Sequence, residues 1–366
     1  MKEHILIFGH NYATQFIDIS NQYTHLFDPE RYHVTVAYLV GKPDEAIRQK
    51  HLAQDVLFLD CSAASTRGLK MGIIYKMIKL CWRQRFKIVI CHRYKPTYIM
   101  LCAAWFYRIP ILIGVMHDLA TLKSISRRFL IRLLVRENLL LAGVSNAVRD
   151  DMRLDISGFP SERIITLYNM INVQHTESLL LKRESHDSFI FGTIGRLVKI
   201  KDQKTLIFAF AKIKSQCPNA KLIIMGDGEL EIPLKNLVQE LNLNHDVTFT
   251  GFVPNAVKHL PQFDVFILPS IREAFGRVLL EAMIARLPII AARTNGIPEV
   301  VGDKNIIIPA KDVDQLAQAM LTVYQLPLSE RKAWGEMNYQ RVTQLFSTQK
   351  FREDFWKLPI FGRNKI

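Results

Sequence analysis

The chain predicts an α/β protein built of two doubly wound halves. Short apolar, β-branched runs alternate with helical segments from end to end, which is how parallel sheets covered on both faces read in sequence. The alternation restarts after a polar stretch at 182–188 (KRESHDS). A length of 366 residues is enough for two separate cores.

Strands of the first half are expected near 4–8, 33–39, 56–60, 87–91, 111–116 and 139–144, with helical segments between them. Strands of the second are expected near 189–194, 221–225, 247–250, 265–268, 288–292 and 306–308. This gives domains over 1–182 and 183–345, with a C-terminal helical tail over 346–366. There is no short-period repeat and no low-complexity tract.

Composition narrows the class. Hydrophobic residues make up 49% and charged residues 22%, as in a soluble globular protein. The longest apolar stretch, 98–116, is broken by Arg108 and Pro110 and predicts a helix and a strand, not a membrane span. The first residues, MKEHILIF, predict a short strand and no signal peptide. Cysteines at 61, 81, 91, 102 and 217 form no C-x-x-C, which points to a reducing compartment.

The net charge of +14 is concentrated: residues 61–140 hold fifteen Lys or Arg against only Asp118 and Glu137. Two basic amphipathic segments, 68–84 and 122–136, carry much of it, through Lys76, Lys79 and Arg83 in one and Lys123, Arg127, Arg132 and Arg136 in the other. Their apolar sides are expected to face the core and their cationic sides an anionic bilayer. The expected location is the cytoplasm, with reversible attachment to the inner face of the cytoplasmic membrane. A basic face also permits nucleic-acid binding, but no aromatic-interleaved stacking motif is present and no specific nucleic-acid partner is expected.

Glu273 and Glu281 stand eight positions apart in 270–283 (SIREAFGRVLLEAM), which follows a buried strand signal. The run predicts a loop opening into a helix near Phe275 or Gly276, and eight residues at ~1.5 Å of helical rise would span ~12 Å. A helix N-terminus between two carboxylates suits a pyrophosphate, through its free N–H groups and positive dipole end. Arg196 and Lys201, in 195–202 (GRLVKIKD), follow another strand and supply a forked and a point cation apt for a diphosphate. As a solvated basic loop they would need no ligand. Asp312 and Asp314 resemble a metal-binding D-x-D, but they precede an apolar helical run and predict its N-terminus, so no metal is expected.

These runs, with 225–228 (MGDG), 250–254 (TGFVP) and 296–300 (GIPEV) in order, resemble the motifs of retaining glycosyltransferases of family 4, with the GT-B fold, over about 188–325. The resemblance implies two Rossmann-like domains facing across a cleft, with the last helix crossing back to the first domain. It implies that Arg196 and Lys201 neutralise the leaving diphosphate, and that Glu281 takes the ribose hydroxyls and Glu273 those of the transferred sugar. The backbone of Gly195, Phe275, Gly276 and Arg277 would face the phosphates, Gly226 would form the G-x-G turn, and Gly251 and Phe252 would lie where the base is read. Phe252 is otherwise a core candidate. His117, at a strand end in 114–118 (GVMHD), matches the family's cleft histidine.

The first half departs from the family. Its first strand is followed by 8–13 (FGHNYA), with Gly9 but with His10 and Asn11 where further glycines are usual. His92, Arg93 and Lys95, in 91–96 (CHRYKP), are candidates to line the acceptor side or simply end a strand. The implied activity is transfer of a sugar from a nucleotide-sugar to an acceptor hydroxyl, in making lipopolysaccharide, capsule, exopolysaccharide or glycolipid, without a cofactor. A sugar-nucleotide epimerase or a phosphorylase on the same fold is the alternative.

Overall fold

The computed structural model describes residues 2–61, 70–184 and 187–363. Arg67 and positions 68–69 of the first basic segment therefore lie outside the described residues. The chain divides into two compact units, 1–170 with 348–366, and 171–347.

Unit 1 is a parallel sheet of β1 (Glu3–Gly9), β2 (Tyr32–Tyr38), β3 (Asp55–Phe58), β4 (Ile88–His92), β5 (Ile111–Met116), β6 (Leu139–Gly143) and β7 (Ile164–Thr166), in the order β3-β2-β1-β4-β5-β6-β7. The connections include α1 (Thr14–Thr24), α2 (Glu45–Gln49), α3 (Met71–Gln84), α4 (Tyr94–Ala103), α5 (Ile125–Leu134) and α6 (Asn146–Asp155). β1 sits between β2 and β4, with Ile5 in register with Val34 and Ile88. Such inner strands are buried on both faces, which is why they read as continuous apolar runs. β7 was not expected: a three-residue edge strand is too short to show a period.

Unit 2 repeats the plan with β8 (Phe189–Ile194), β9 (Ala220–Met225), β10 (Val247–Phe249), β11 (Val265–Leu268), β12 (Ile289–Ala292) and β13 (Ile306–Ile308), all parallel, in the order β10-β9-β8-β11-β12-β13. Its helices are α7 (Val173–Leu179), α8 (Gln203–Ile213), α9 (Glu231–Glu240), α10 (Arg277–Ile284), α11 (Ile297–Val301), α12 (Val313–Gln325) and α13 (Leu328–Phe346). α12 begins where Asp312 accepts the Gln315 N–H at 2.9 Å, and Asp314 pairs with Lys212, so both acids have structural partners.

The units divide between Met170 and Ile171, not at 182/183. The reason is α7: Glu177 takes the Arg286 guanidinium at 2.9 Å and the Tyr339 hydroxyl at 3.2 Å, which fixes α7 to unit 2. The tail leaves unit 2 after Ser347, not 345, as α14 (Thr348–Trp356) and α15 (Pro359–Arg363). In unit 1, Phe351 packs on Tyr23, and Trp356 stacks on Tyr32 and donates to Leu26 O at 3.3 Å. No helix among the described residues is long and apolar enough to cross a membrane.

Candidate functional site

In each sheet the first strand has neighbours reached in opposite winding directions. The carboxyl ends there diverge and leave room for a ligand. In unit 2 this place lies between β8 and β11. Gly195, Arg196 and Lys201 follow β8, and Glu273, Phe275, Gly276 and Arg277 follow β11. The two loops are tied by the Ile271 N–H, which donates to Ile200 O at 2.9 Å. Lys201 lays its stem over Gly195 and donates Nζ to Glu273 Oε2, the two side chains being 17% and 18% exposed. Glu273 thus gives its carboxylate to Lys201 and does not cap α10. Its backbone is held instead from 295–296, whose Gly296 N–H reaches Glu273 O at 3.1 Å.

Backbone lines the rest. Gly226 has φ +136° and a Cβ there would lie 2.1 Å from Gly195 O, so only glycine fits. Its N–H donates to Gly251 O at 2.9 Å, which brings the 250–254 turn beside Gly195. Phe252 is 71% exposed and is not a core residue, because this turn points it into solvent. Gly276, at φ +82°, precedes α10, and no side chain caps that helix. Phe275 buries its ring against Phe346, so only its backbone can face a ligand. Glu281 lies in the second turn of α10, half-buried. Residues 273–276 are loop, so the two glutamates are not separated by eight residues of helical rise. Arg196 is exposed, and its carbonyl accepts from Gln203 Nε2 at 3.0 Å. The structure thus gathers Gly251, Gly226, Gly195, Lys201, Glu273 and Gly276 along one path. Asn295 is an addition the sequence could have offered through its Asn-Gly turn signal.

In unit 1 the corresponding place lies between β1 and β4. Gly9 ends β1 and His10 and Asn11 follow it, and Arg93 and Lys95 follow β4. Arg93 has φ +76° and ψ +167°, a region almost confined to glycine and costing on the order of 1–3 kcal/mol. Its guanidinium lies 4.4 Å from the Phe16 ring centre and 3.9 Å from Asp118. His117 follows β5 directly, and its Nε2 meets His92 Nδ1 at 3.0 Å. His92 is 1% exposed, and burial pushes its pKa down to about 3. It cannot line an acceptor surface; it positions His117 from behind. Burial first, then the charges of Lys95 and Arg93, lower the pKa of His10. Tyr94, Lys70 and Arg127, which also gather here, were legible only as a strand end and as parts of basic helices.

Residues 181–341 match the family model for glycosyl transferases group 1. The chain is 33% identical over 156 residues to an uncharacterized glycosyltransferase of Methanocaldococcus jannaschii, covering 42% of this chain and 37% of that one, little more than a third of the relative. It is 28% identical over 288 residues to the N-acetylgalactosamine-N,N'-diacetylbacillosaminyl-diphospho-undecaprenol 4-alpha-N-acetylgalactosaminyltransferase of Campylobacter jejuni, covering 73% and 76% of the two chains. The structure of HepE from Anabaena in complex with UDP superposes with a TM-score of 0.78 at 19% identity, over 97% of this chain and 98% of that one. The fold is GT-B, with two Rossmann-like domains.

Proposed function

We propose that this GT-B chain, with its group 1 domain over 181–341, is a retaining glycosyltransferase of the family 4 type that takes its sugar from a nucleotide-sugar held by unit 2. The observation that carries the reading is the Lys201–Glu273 pair beside Gly195, at the switch point where the uncapped α10 begins. An ammonium sharing one carboxylate can also neutralise a diphosphate, while that carboxylate stays free to accept sugar hydroxyls at its other oxygen. Arg196 and the α10 N–H groups add positive charge for the leaving group, and Glu281 takes the ribose. In the reaction the acceptor oxygen bonds to the anomeric carbon as the bond from that carbon to the diphosphate breaks. The acceptor proton passes to the departing diphosphate on the same face. Stabilising that leaving group is the main catalytic term.

These residues supply the charge a metal would otherwise bring, and the reading is of a metal-independent enzyme; activity should persist in EDTA. UDP, seen with HepE, is the first nucleotide to try. The named activity of the Campylobacter relative supports a lipid-linked envelope glycan as the setting. Unit 1 is read as the acceptor side, attached at an anionic membrane through α3 and α5. Thermal-shift screening with UDP, GDP, ADP and CMP should find one that raises the melting temperature. Product analysis with the matching radiolabelled sugar should then show transfer only when acceptor is present. No stabilising nucleotide, or sugar conversion without acceptor, would refute the reading.

A further inference from the structure

The switch point of unit 1 carries a constellation that a sugar donor in unit 2 leaves unexplained. Five basic side chains from four segments converge on the start of α4: His10 after β1, Arg93 and Lys95 at the helix entrance, Lys70 ahead of α3, and Arg127 on α5. Two tyrosines one turn apart hold two of them. Tyr94 and Tyr98 stack at 6.1 Å, with the Arg127 guanidinium 4.9 Å from the first ring and Lys70 Nζ 4.8 Å from the second. The positive charges act on one another: burial and then Lys95, with Arg127, lower the pKa of Lys70, as Lys95 and Arg93 do for His10.

Among the described residues no close carboxylate offsets this charge, though Arg127 donates to Thr121 O at 2.8 Å. The first turn of α4 has no acid, and no side chain caps the helix. Asp118 comes no nearer to Arg93 than 3.9 Å and is mostly exposed. Lys95 makes no hydrogen bond or ion pair among the described residues. Polar atoms are also left over. Tyr94 is 9% exposed and its hydroxyl has no hydrogen-bond partner among the described residues, nor have His10 Nδ1, Asn11 Oδ1 and Arg93 Nε. Cations at a helix N-terminus oppose the helix dipole unless an anion sits between them.

We propose that the entrance of α4 binds the phosphate group of a phosphorylated acceptor. The proposal rests on unit 2 being the donor side and adds the chemical class of what unit 1 receives. A phosphate or diphosphate fits the parts: a guanidinium fork, two ammonium groups, a phenolic donor and the free N–H groups of a helix start. It would also relieve the repulsion and make use of the strained Arg93 backbone. The place is equivalent, in sheet topology, to the β8/β11 point of unit 2.

The test is calorimetry on the full chain in a Lys201→Met background, which weakens phosphate binding in unit 2. Inorganic pyrophosphate should still bind, and adding Lys95→Met or Arg127→Gln should weaken it about tenfold each, while Lys95→Arg retains it. Farnesyl diphosphate should bind and farnesol should not compete. A prenyl diphosphate tighter than pyrophosphate identifies a lipid-linked acceptor, and equal affinities a soluble one. Pyrophosphate affinity unchanged by both Lys95→Met and Arg127→Gln, or competition by farnesol equal to that of its diphosphate, would overturn the proposal. Nucleotide binding by the chain with Lys201 intact separates the two readings. If none occurs while the pyrophosphate effects stand, only the donor assignment falls.

Discussion

Lys201 and Glu273 share one ion pair in a site largely closed to water, so each depends on the other. Lys201→Met leaves a carboxylate without its cation and takes positive charge from the leaving group. It should lower turnover roughly 100-fold. Glu273→Gln keeps the shape and a hydrogen-bond acceptor, so its loss should appear in turnover with little change in fold. If Glu281 takes the ribose as proposed, Glu281→Ala should raise the apparent KM for the donor more than it lowers kcat, because such a contact is alike in ground and transition states. Steady-state kinetics on the three variants checks the division. His92 makes a prediction of another kind. Its unfolded imidazole takes up a proton near pH 6.5, whereas the buried ring resists until about 3. This stability is therefore fully present above pH 6.5 and is lost as the pH falls, at roughly 1.4 kcal/mol per pH unit. His51, with its pKa pushed down to about 4 by burial, adds in the same direction. Urea unfolding at two pH values should show a steep slope in the parent chain and a shallower one in His92→Asn.

Helices fix the site by their ends and by their contacts. The α10 entrance depends on Gly276, where a Cβ would meet Leu279 Cδ1 at 2.9 Å in a left-handed backbone. Gly276→Ala should cost about 1–2 kcal/mol and disturb the N–H groups proposed to face the diphosphate. On α13, a Cβ at Gly335 would lie 1.9 Å from the Arg286 carbonyl oxygen, so the helix and the end of α10 must part. Gly335→Ala should cost about 1–3 kcal/mol, read by thermal melting, and weaken donor binding only indirectly. At this scale the sequence was informative where strands were long or buried on both faces: β1, β4, β5 and β8 fall within a residue or two of their expected places. It was uninformative for β7, and for α7, whose allegiance is decided by Glu177 reaching Arg286 and Tyr339, residues more than a hundred positions away. The order of the donor motifs was legible because each follows a strand end. The unit 1 cluster was not, because Lys70, Arg93 and Arg127 come from separate segments that only the fold brings together.

The two units differ in what they show to solvent, and this bears on where the whole molecule works. The basic excess lies in unit 1, and the two helices expected to carry it behave differently. α3 buries Ile73, Ile74, Met77 and Cys81 and turns Lys76, Lys79 and Arg83 outward, but it also leaves Met71, Tyr75 and Trp82 exposed. In α5 only Ile131 is buried, while Ile125, Phe129 and Leu133 form an outward stripe at four-residue spacing, flanked by Lys123, Arg128 and Arg132. An apolar stripe with cationic flanks suits a bilayer interface better than water, with each Lys or Arg worth about 1 kcal/mol near an anionic surface. The full chain should float with vesicles containing phosphatidylglycerol and not with pure phosphatidylcholine, and release as salt shortens the Debye length to ~3 Å near 1 M. Phe129→Asp should abolish flotation while leaving nucleotide binding by unit 2 unchanged, because the substitution lies on an exposed face. Flotation that survives Phe129→Asp but vanishes in salt would mean that charge alone holds the protein. No flotation with either vesicle would remove the membrane from the account, and equal flotation with both would remove the role given to charge.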